Sequence, residues 1–423
     1  MTKTTDTNKR PRGRQMLLGT SLFLVGGLML SGCAAGTASS SSSATTGTST
    51  STSATGDVTV AQAATEVTES DSSTTADTIT NTTEAITAFL DTLSDEQREA
   101  VTYDYDDETK TTSWSNFPVT FVDRAGLNVA DLTEEQQVAA LQVLEALLSD
   151  DAYETASNII ASDQYLADSS SSSDADILGQ YYIAFFGDAS DTSAYEVQFG
   201  GHHLGINATL DGTADAITFA PTHLGVQPAD WTAEDGTEVQ AFDGIYTDAF
   251  AFYDSLTAEQ QETLTSGEVT MCAPGDTCEF TTGSGLTGAD LTDEQRELLL
   301  DLIANWSGMA DEESAAATRA EIEATLDDTV IAWSGETTYD MTQGDGINFS
   351  VSGPNVYVGF QAQQGSAGAD IDGVVTSGWG HVHTIYRDPT NDYANSVEQQ
   401  EATGMGGGGA PGGAPGDGGP DGN

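Results

Sequence analysis

The chain has 423 residues, 67 acidic against 11 Lys and Arg, and a formal net charge of −56 at pH 7. Such a surface repels phosphate backbones and anionic headgroups, so neither nucleic acid nor an anionic membrane surface is expected as a partner. It suits high ionic strength, where the Debye length falls to about 3 Å at 1 M, or else the buffering of divalent cations by many weak carboxylate sites.

In chain order, Lys3, Lys9, Arg10, Arg12 and Arg14 precede an apolar stretch at 16–30 that ends in Leu30-Ser31-Gly32-Cys33. A predominantly apolar stretch of 15 residues is too short for a comfortable span, and the four-residue ending resembles the lipobox of bacterial lipoproteins. Residues 1–32 are therefore expected to be a signal peptide and Cys33 the lipidated N-terminus. The protein is then extracytoplasmic, and its membrane partner is reached through the lipid anchor. Beyond this leader the balance is 66 acids against 6 bases.

Residues 33–80 are dominated by Ser, Thr, Ala and Gly. They are expected to be a disordered tether with a reach of about 35–40 Å. Residues 81–398 form one large domain, and 399–423, rich in Gly, Pro and Asp, a disordered tail.

Within the domain one motif recurs: LSDEQR at 93–98, LTEEQQ at 132–137, LTAEQQ at 256–261 and LTDEQR at 291–296. Each places Gln three residues after Ser or Thr, which predicts four helix starts with capping boxes. The spacings of 39, 124 and 35 residues give no solenoid period but suggest two similar paired-helix segments, one early and one late. After the second motif, Ala140, Leu141, Leu144, Leu147 and Leu148 line one face. After the fourth, Leu299, Leu302, Ile303 and Trp306 do so. Residues 315–326 read as a further helix.

Strands are expected where apolar residues alternate. These are 195–199 and 202–210, then 217–225 as a return strand, and 330–333, 347–351, 356–361 and 381–386. A turn is expected at 352–355. The class is α+β, a helical N-terminal part and a helical insertion packed against a mostly antiparallel sheet. Between the last two motifs lies CAPGDTC. Its Pro-Gly-Asp turn and the oxidising compartment read as a Cys272–Cys278 disulfide, with a two-Cys metal site as the weaker alternative.

All five histidines fall in strand-like places: His202-His203, His223 and His381-x-His383. Residues i and i+2 of a strand share a face, so His381 and His383 project side by side with Val382 opposite. Two adjacent imidazoles present themselves well to a metal ion. On a strand His202 and His203 point apart, so only one of them can join the same site. His203, flanked on its face by Gly201 and Gly205, is preferred over His202. Zinc or copper suits imidazole ligands, and Asp388 or Asp392 can complete the sphere. A calcium site at Asp388, Asn391 and Asp392 lacks EF-hand spacing and is less favoured. Arg387 is read either as a clamp for an anionic substrate group, beside Asp388, or as a local ion pair at a strand corner. The sequence has no nucleophile elbow, zincin helix or Walker loop, and no dinucleotide G-x-G-x-x-G in a βαβ setting.

Two stretches together, YEVQFGGHHLGINATL with ITFAPTHLGVQP, and HVHTIYRDPTNDY, resemble the central and C-terminal motifs of the domain-of-unknown-function family numbered 3500. FLDTLSDEQREA and AGLNVADLTEEQQ resemble its N-terminal helical pattern. The resemblance covers roughly residues 84–393. It implies that His202-His203, His381-x-His383 and Arg387-Asp388-Pro389 belong to the family pattern. It argues against His223 as a ligand, since an aromatic residue usually stands there. It implies no established activity. Three functions remain open: a His-ligated metal-binding domain with hydrolase-like activity, a non-enzymatic lipoprotein that captures a solute or an envelope partner, or a structural envelope protein.

Overall fold

The four repeated motifs become four capped helices. Ser94, Thr133, Thr257 and Thr292 each accept a bond from the backbone N–H of the Gln three residues on, and each Gln side chain closes the box. The computed structural model describes residues 58–398, apart from 174, 176, 177, 266–268, 270, 272–284, 344 and 366. Cys33, Cys272 and Cys278, residues 1–32 and the tail at 399–423 lie outside the described residues.

The first half of the chain runs through α1 (Val60–Ala63), α2 (Thr75–Thr92), α3 (Asp95–Val101), β1 (Thr102–Tyr103), β2 (Leu127–Asn128), α4 (Glu134–Leu147) and α5 (Asp150–Ser169). It continues with β3 (Tyr182–Phe186), β4 (Ala194–Gly200), β5 (Leu204–Asp211), β6 (Ala216–Thr218) and β7 (Thr222–Val226). A small hairpin follows, β8 (Asp230–Thr232) and β9 (Glu238–Gln240). The second half runs through α6 (Asp243–Ser255), α7 (Ala258–Thr263), β10 (Leu286–Thr287), α8 (Asp293–Ser307) and α9 (Glu312–Glu323). It ends with β11 (Val330–Gly335), β12 (Ile347–Ser352), β13 (Tyr357–Gln363) and β14 (Gly378–Arg387). The protein is α+β with a large, mostly antiparallel sheet. No helix among the described residues is long and apolar enough to cross a membrane.

Ordered structure begins before the expected tether boundary at residue 80. Val60, Ala63, Ala64 and Ile79 are buried in the main core, and Glu145 of α4 accepts bonds from the backbone and hydroxyl of Ser70. A few apolar side chains in a Ser/Thr-rich stretch are enough to dock it. The helix expected at 315–326 starts earlier, because Asp311 caps Glu313 and Ser314, and it stops at Glu323.

The two halves repeat one plan. A long helix, a short capped helix, a two-residue strand, a 3-10 turn and a second capped helix lead into an antiparallel ladder, first as α2, α3, β2, α4 and then as α6, α7, β10, α8. The short strands dock alike, Leu127 opposite Ile183 and Leu286 opposite Ile331. The capping glutamines of each pair also bond to each other, Gln136 to Gln97 and Gln260 to Gln295. The main sheet follows the same logic: β3-β4-β5-β7 meets β14-β13-β12-β11 with β7 beside β14 at the centre.

Both faces of this sheet are covered. Tyr195, Val197 and Phe199 of β4, Leu204, Ile206 and Leu210 of β5, and Val382 and Tyr386 of β14 enter the main core with the helices. The alternate positions, which strand patterning assigns to solvent, are buried polar groups. Glu196 pairs with Lys110 at 3.1 Å. Gln198 bonds Ser113, Asn207 and the Lys110 carbonyl. The segment 104–125 lies over this face, with Trp114 stacked on His223 and its indole N–H given to Tyr393.

Candidate metal centre

The histidines converge where β7 meets β14. His383 stands opposite Gly225 in the ladder, and the Gly225 N–H donates to the His203 carbonyl at 2.5 Å. A side chain at 225 would meet the Val382 carbonyl at 2.9 Å and the His203 ring at 3.3 Å, so glycine lets the two imidazoles approach. His202 and His203 are not on a strand. They form the tight connection after β4, closed by a bond from Gly201 N–H to the Leu204 carbonyl at 2.7 Å. The alternation that would have turned them apart does not apply, and both rings face the β14 pair. The ring centroids of His202 lie 4.2 Å from His203 and 5.1 Å from His383, and His203 lies 5.0 Å from His383.

One ligand atom from each of His202, His203, His381 and His383 falls within 4.8 Å of all the others. His381 and His383 project together as the strand period requires, with Nε2 atoms 3.2 Å apart and Val382 in the core. A tetrahedral zinc site with bonds of about 2.0–2.1 Å sets its nitrogens roughly 3.3 Å apart. This pair already stands at that separation, and the ligand atoms of all four rings lie within 4.8 Å of one another. His203 and His383 are buried, His381 is 8 % exposed, and His202 is the most open of the four.

The carboxylate beside these rings is Asp163 of α5. Its Oδ1 contacts His203 Nδ1, and its Oδ2 accepts a bond from Tyr181 at 2.6 Å. Burial pushes Asp163 up to about 7, against the pull of the Tyr181 bond. Burial also pushes His203, His223 and His381 down to about 3, and takes His202 and His383 well below the usual histidine value. The rings are therefore neutral, and the Asp163–His203 contact is a hydrogen bond to a neutral imidazole. A neutral ring with its proton on Nδ1 has a bare Nε2. That Nε2 is buried and has no hydrogen-bond partner among the described residues. A carboxylate behind a histidine in this way fixes the tautomer and raises ligand basicity.

His223 stays outside the four. It stacks on Trp114 and its Nε2 approaches the His202 carbonyl at 3.2 Å. Gly205 makes room for this ring, not for a ligand: a side chain there would lie 2.3 Å from it. Arg387 and Asp388 are placed at the other end of β14. Arg387 is wholly buried and its Nε donates to Asp392 at 2.8 Å. Asp388 accepts from the backbone and hydroxyl of Thr390, and Asp392 also accepts from the Asp388 N–H. These three residues and Asn391 build a strand corner, and neither acid belongs to the imidazole group. Asp163 was not singled out from the sequence. Its signal was an acid lying on the same helix stripe as Ala156, Ile159, Ile160 and Leu166, all of which are buried.

A family model described as "Protein of unknown function (DUF3500)" matches residues 75–395. The chain belongs to this family. The matched span holds all five histidines, Asp163, Tyr181 and the Arg387–Asp392 corner. No curated protein and no solved structure matches the chain.

Proposed function

We propose that this family member is an extracytoplasmic, lipid-anchored metal-binding protein in which His202, His203, His381 and His383 hold one zinc or copper ion. The observation that carries this reading is the group of four neutral imidazoles, with the Nε2 of His203 bare, buried and turned from its Asp163 partner. Leaving such a nitrogen unpaired costs about 1–3 kcal/mol, which coordination would offset. Zinc and copper both suit an all-imidazole donor set. When bound, such an ion supplies Lewis-acid chemistry and a lowered pKa for coordinated water, the basis of a hydrolase-like activity. The chain's own part is to keep the rings neutral, to orient His203 through Asp163 and Tyr181, and to shield three of the four ligands from water. The lipid anchor at Cys33 rests on the lipobox-like sequence. A non-enzymatic role as a metal or solute carrier is favoured by the burial of His203, His381 and His383, which suits retention of an ion.

Elemental analysis of the purified full chain, prepared without chelators or tag histidines, tests the reading. About one zinc or copper per chain is expected, and none in the His381→Ala/His383→Ala double variant. A wild-type chain that retains no metal and shows no thermal shift with added zinc or copper would overturn it.

A further inference from the structure

We infer that His202 is the exchangeable ligand of the centre, and that small monodentate donors reach the metal by replacing it. This rests on the metal-binding reading above and adds a substrate-accessible coordination position to it. Three observations separate His202 from its companions. The first is exposure: His203, His381 and His383 are buried while His202 is partly open to solvent.

The second is anchoring. His381 and His383 stand within the ten-residue β14, where His383 pairs with Gln361 of β13 and Gly225 of β7, and Val382, next to His381, pairs with Ala362 and Val226. His203 is held from behind by Asp163. His202 stands in the loop outside any strand, and its Nδ1, like those of His381 and His383, finds no hydrogen-bond partner among the described residues.

The third is the backbone beneath it. The Gly201 carbonyl accepts from Arg124 at 2.8 Å, and the His202 carbonyl is bonded by His223. The loop is fixed at residues 201 and 202, while no hydrogen bond among the described residues holds the Nδ1 of the His202 ring. That ring can leave without moving the loop that carries His203.

A metal with three protein ligands and a fourth position open to solvent is the arrangement of catalytic rather than structural sites. The donors that fit are water, hydroxide and small ligands such as azide or imidazole, since only one ring's place is released. Exchange breaks the metal–His202 bond and forms one bond from the metal to the incoming donor, with no change of oxidation state.

The test uses cobalt(II) as a spectroscopic probe in the full-length chain. His202→Ala and His202→Gln are expected to keep about one cobalt per chain with roughly tenfold weaker affinity, a loss smaller than that of a buried anchor. Their visible bands should respond to added azide and imidazole, and wild type should respond at higher concentrations. His203→Ala, His381→Ala and His383→Ala should each lose the metal. If both His202 variants lose cobalt as these do, His202 is an anchor and the inference falls while the metal centre stands. The same holds if the variants keep cobalt but ignore both donors. If wild type takes up no cobalt, zinc or copper, the metal reading itself fails.

Discussion

Asp163 and His203, forty residues apart, share a buried hydrogen bond that turns the Nε2 of His203 toward three other imidazoles. The acid sits on a helix, the histidine in a tight loop, and Tyr181, the residue before β3, holds the second carboxylate oxygen. Asp163→Asn keeps the shape but removes the charge and the tautomer preference. Metal affinity is expected to fall about 10–100-fold with the fold intact, read by chelator competition alongside circular dichroism.

Gly365 gives an independent handle on the same centre. A side chain there would stand 2.5 Å from His381 Nδ1 and 2.5 Å from the Gln227 amide. Gln227 is committed to the carbonyls of Ala367 and Thr376, so the imidazole must yield. Gly365→Ala should weaken metal binding though no ligand is altered, with a stability loss of about 1–3 kcal/mol from overpacking. Calorimetric titration with zinc checks the first part and urea unfolding the second.

Lys110 and Glu196 form an ion pair with both side chains fully buried. Removing one partner strands the other, which costs about 3–5 kcal/mol. Lys110→Met should therefore be severely destabilised in urea, and Lys110→Met/Glu196→Gln should recover much of the loss. The pH dependence has a definite sign. Burial raises the Glu196 carboxyl above its ordinary 4.5 even with the lysine present. A raised folded-state value favours the fold below the unfolded value and loses that contribution as pH rises through the folded one. Without the lysine's opposing pull the value rises further. The Lys110→Met penalty should thus be smaller near pH 4.5 than in neutral buffer, as unfolding curves at the two conditions would show.

The capping boxes carry a smaller, local load. Thr133 accepts the Gln136 N–H, and Gln136 also reaches the Thr92 carbonyl and the side chain of Gln97. Thr133→Ala should cost about 0.5–2 kcal/mol. Gln136→Ala should cost at least as much, because it also unlinks α4 from the start of α3. Thermal melts of both variants would rank them.

Much of this architecture is legible in the amino-acid sequence. Ser94, Thr133, Thr257 and Thr292 announce helix starts because a capping box is a local arrangement written in four residues. The alternation at 195–199 and 381–386 announces strands, and with them the side-by-side placing of His381 and His383. What local pattern could not reveal is what lies across space. The alternate face of β4 reads as solvent-facing because Glu196 and Gln198 are polar, yet a distant segment brings Lys110 and Ser113 to cover them. His202 and His203 continue an apparent alternation, but Gly200 and Gly201 end the strand and free both rings. Asp163 comes to the histidines only through the docking of α5. Arg387 is attractive as an anion clamp in a chain with so few cations, and its carboxylate partner is simply five residues away.

The duplicated plan of the chain has a mechanical consequence for the centre. His202 and His203 come from the first half and His381 and His383 from the second, about 180 residues later, and the seam between β7 and β14 runs between them. The matching loop of the second half, Gly353-Pro354-Asn355, keeps the same backbone closure, from Gly353 to the Val356 carbonyl, but carries no imidazole. One repeat thus contributes a loop that its twin left blank, and neither half owns a complete donor set. An ion held by all four rings would act as a rivet through the seam, and a fastening across so long a stretch of chain is the kind that restrains the unfolded ensemble most. Withdrawing it would be felt first as a loosening of the two halves against each other rather than as the melting of either one.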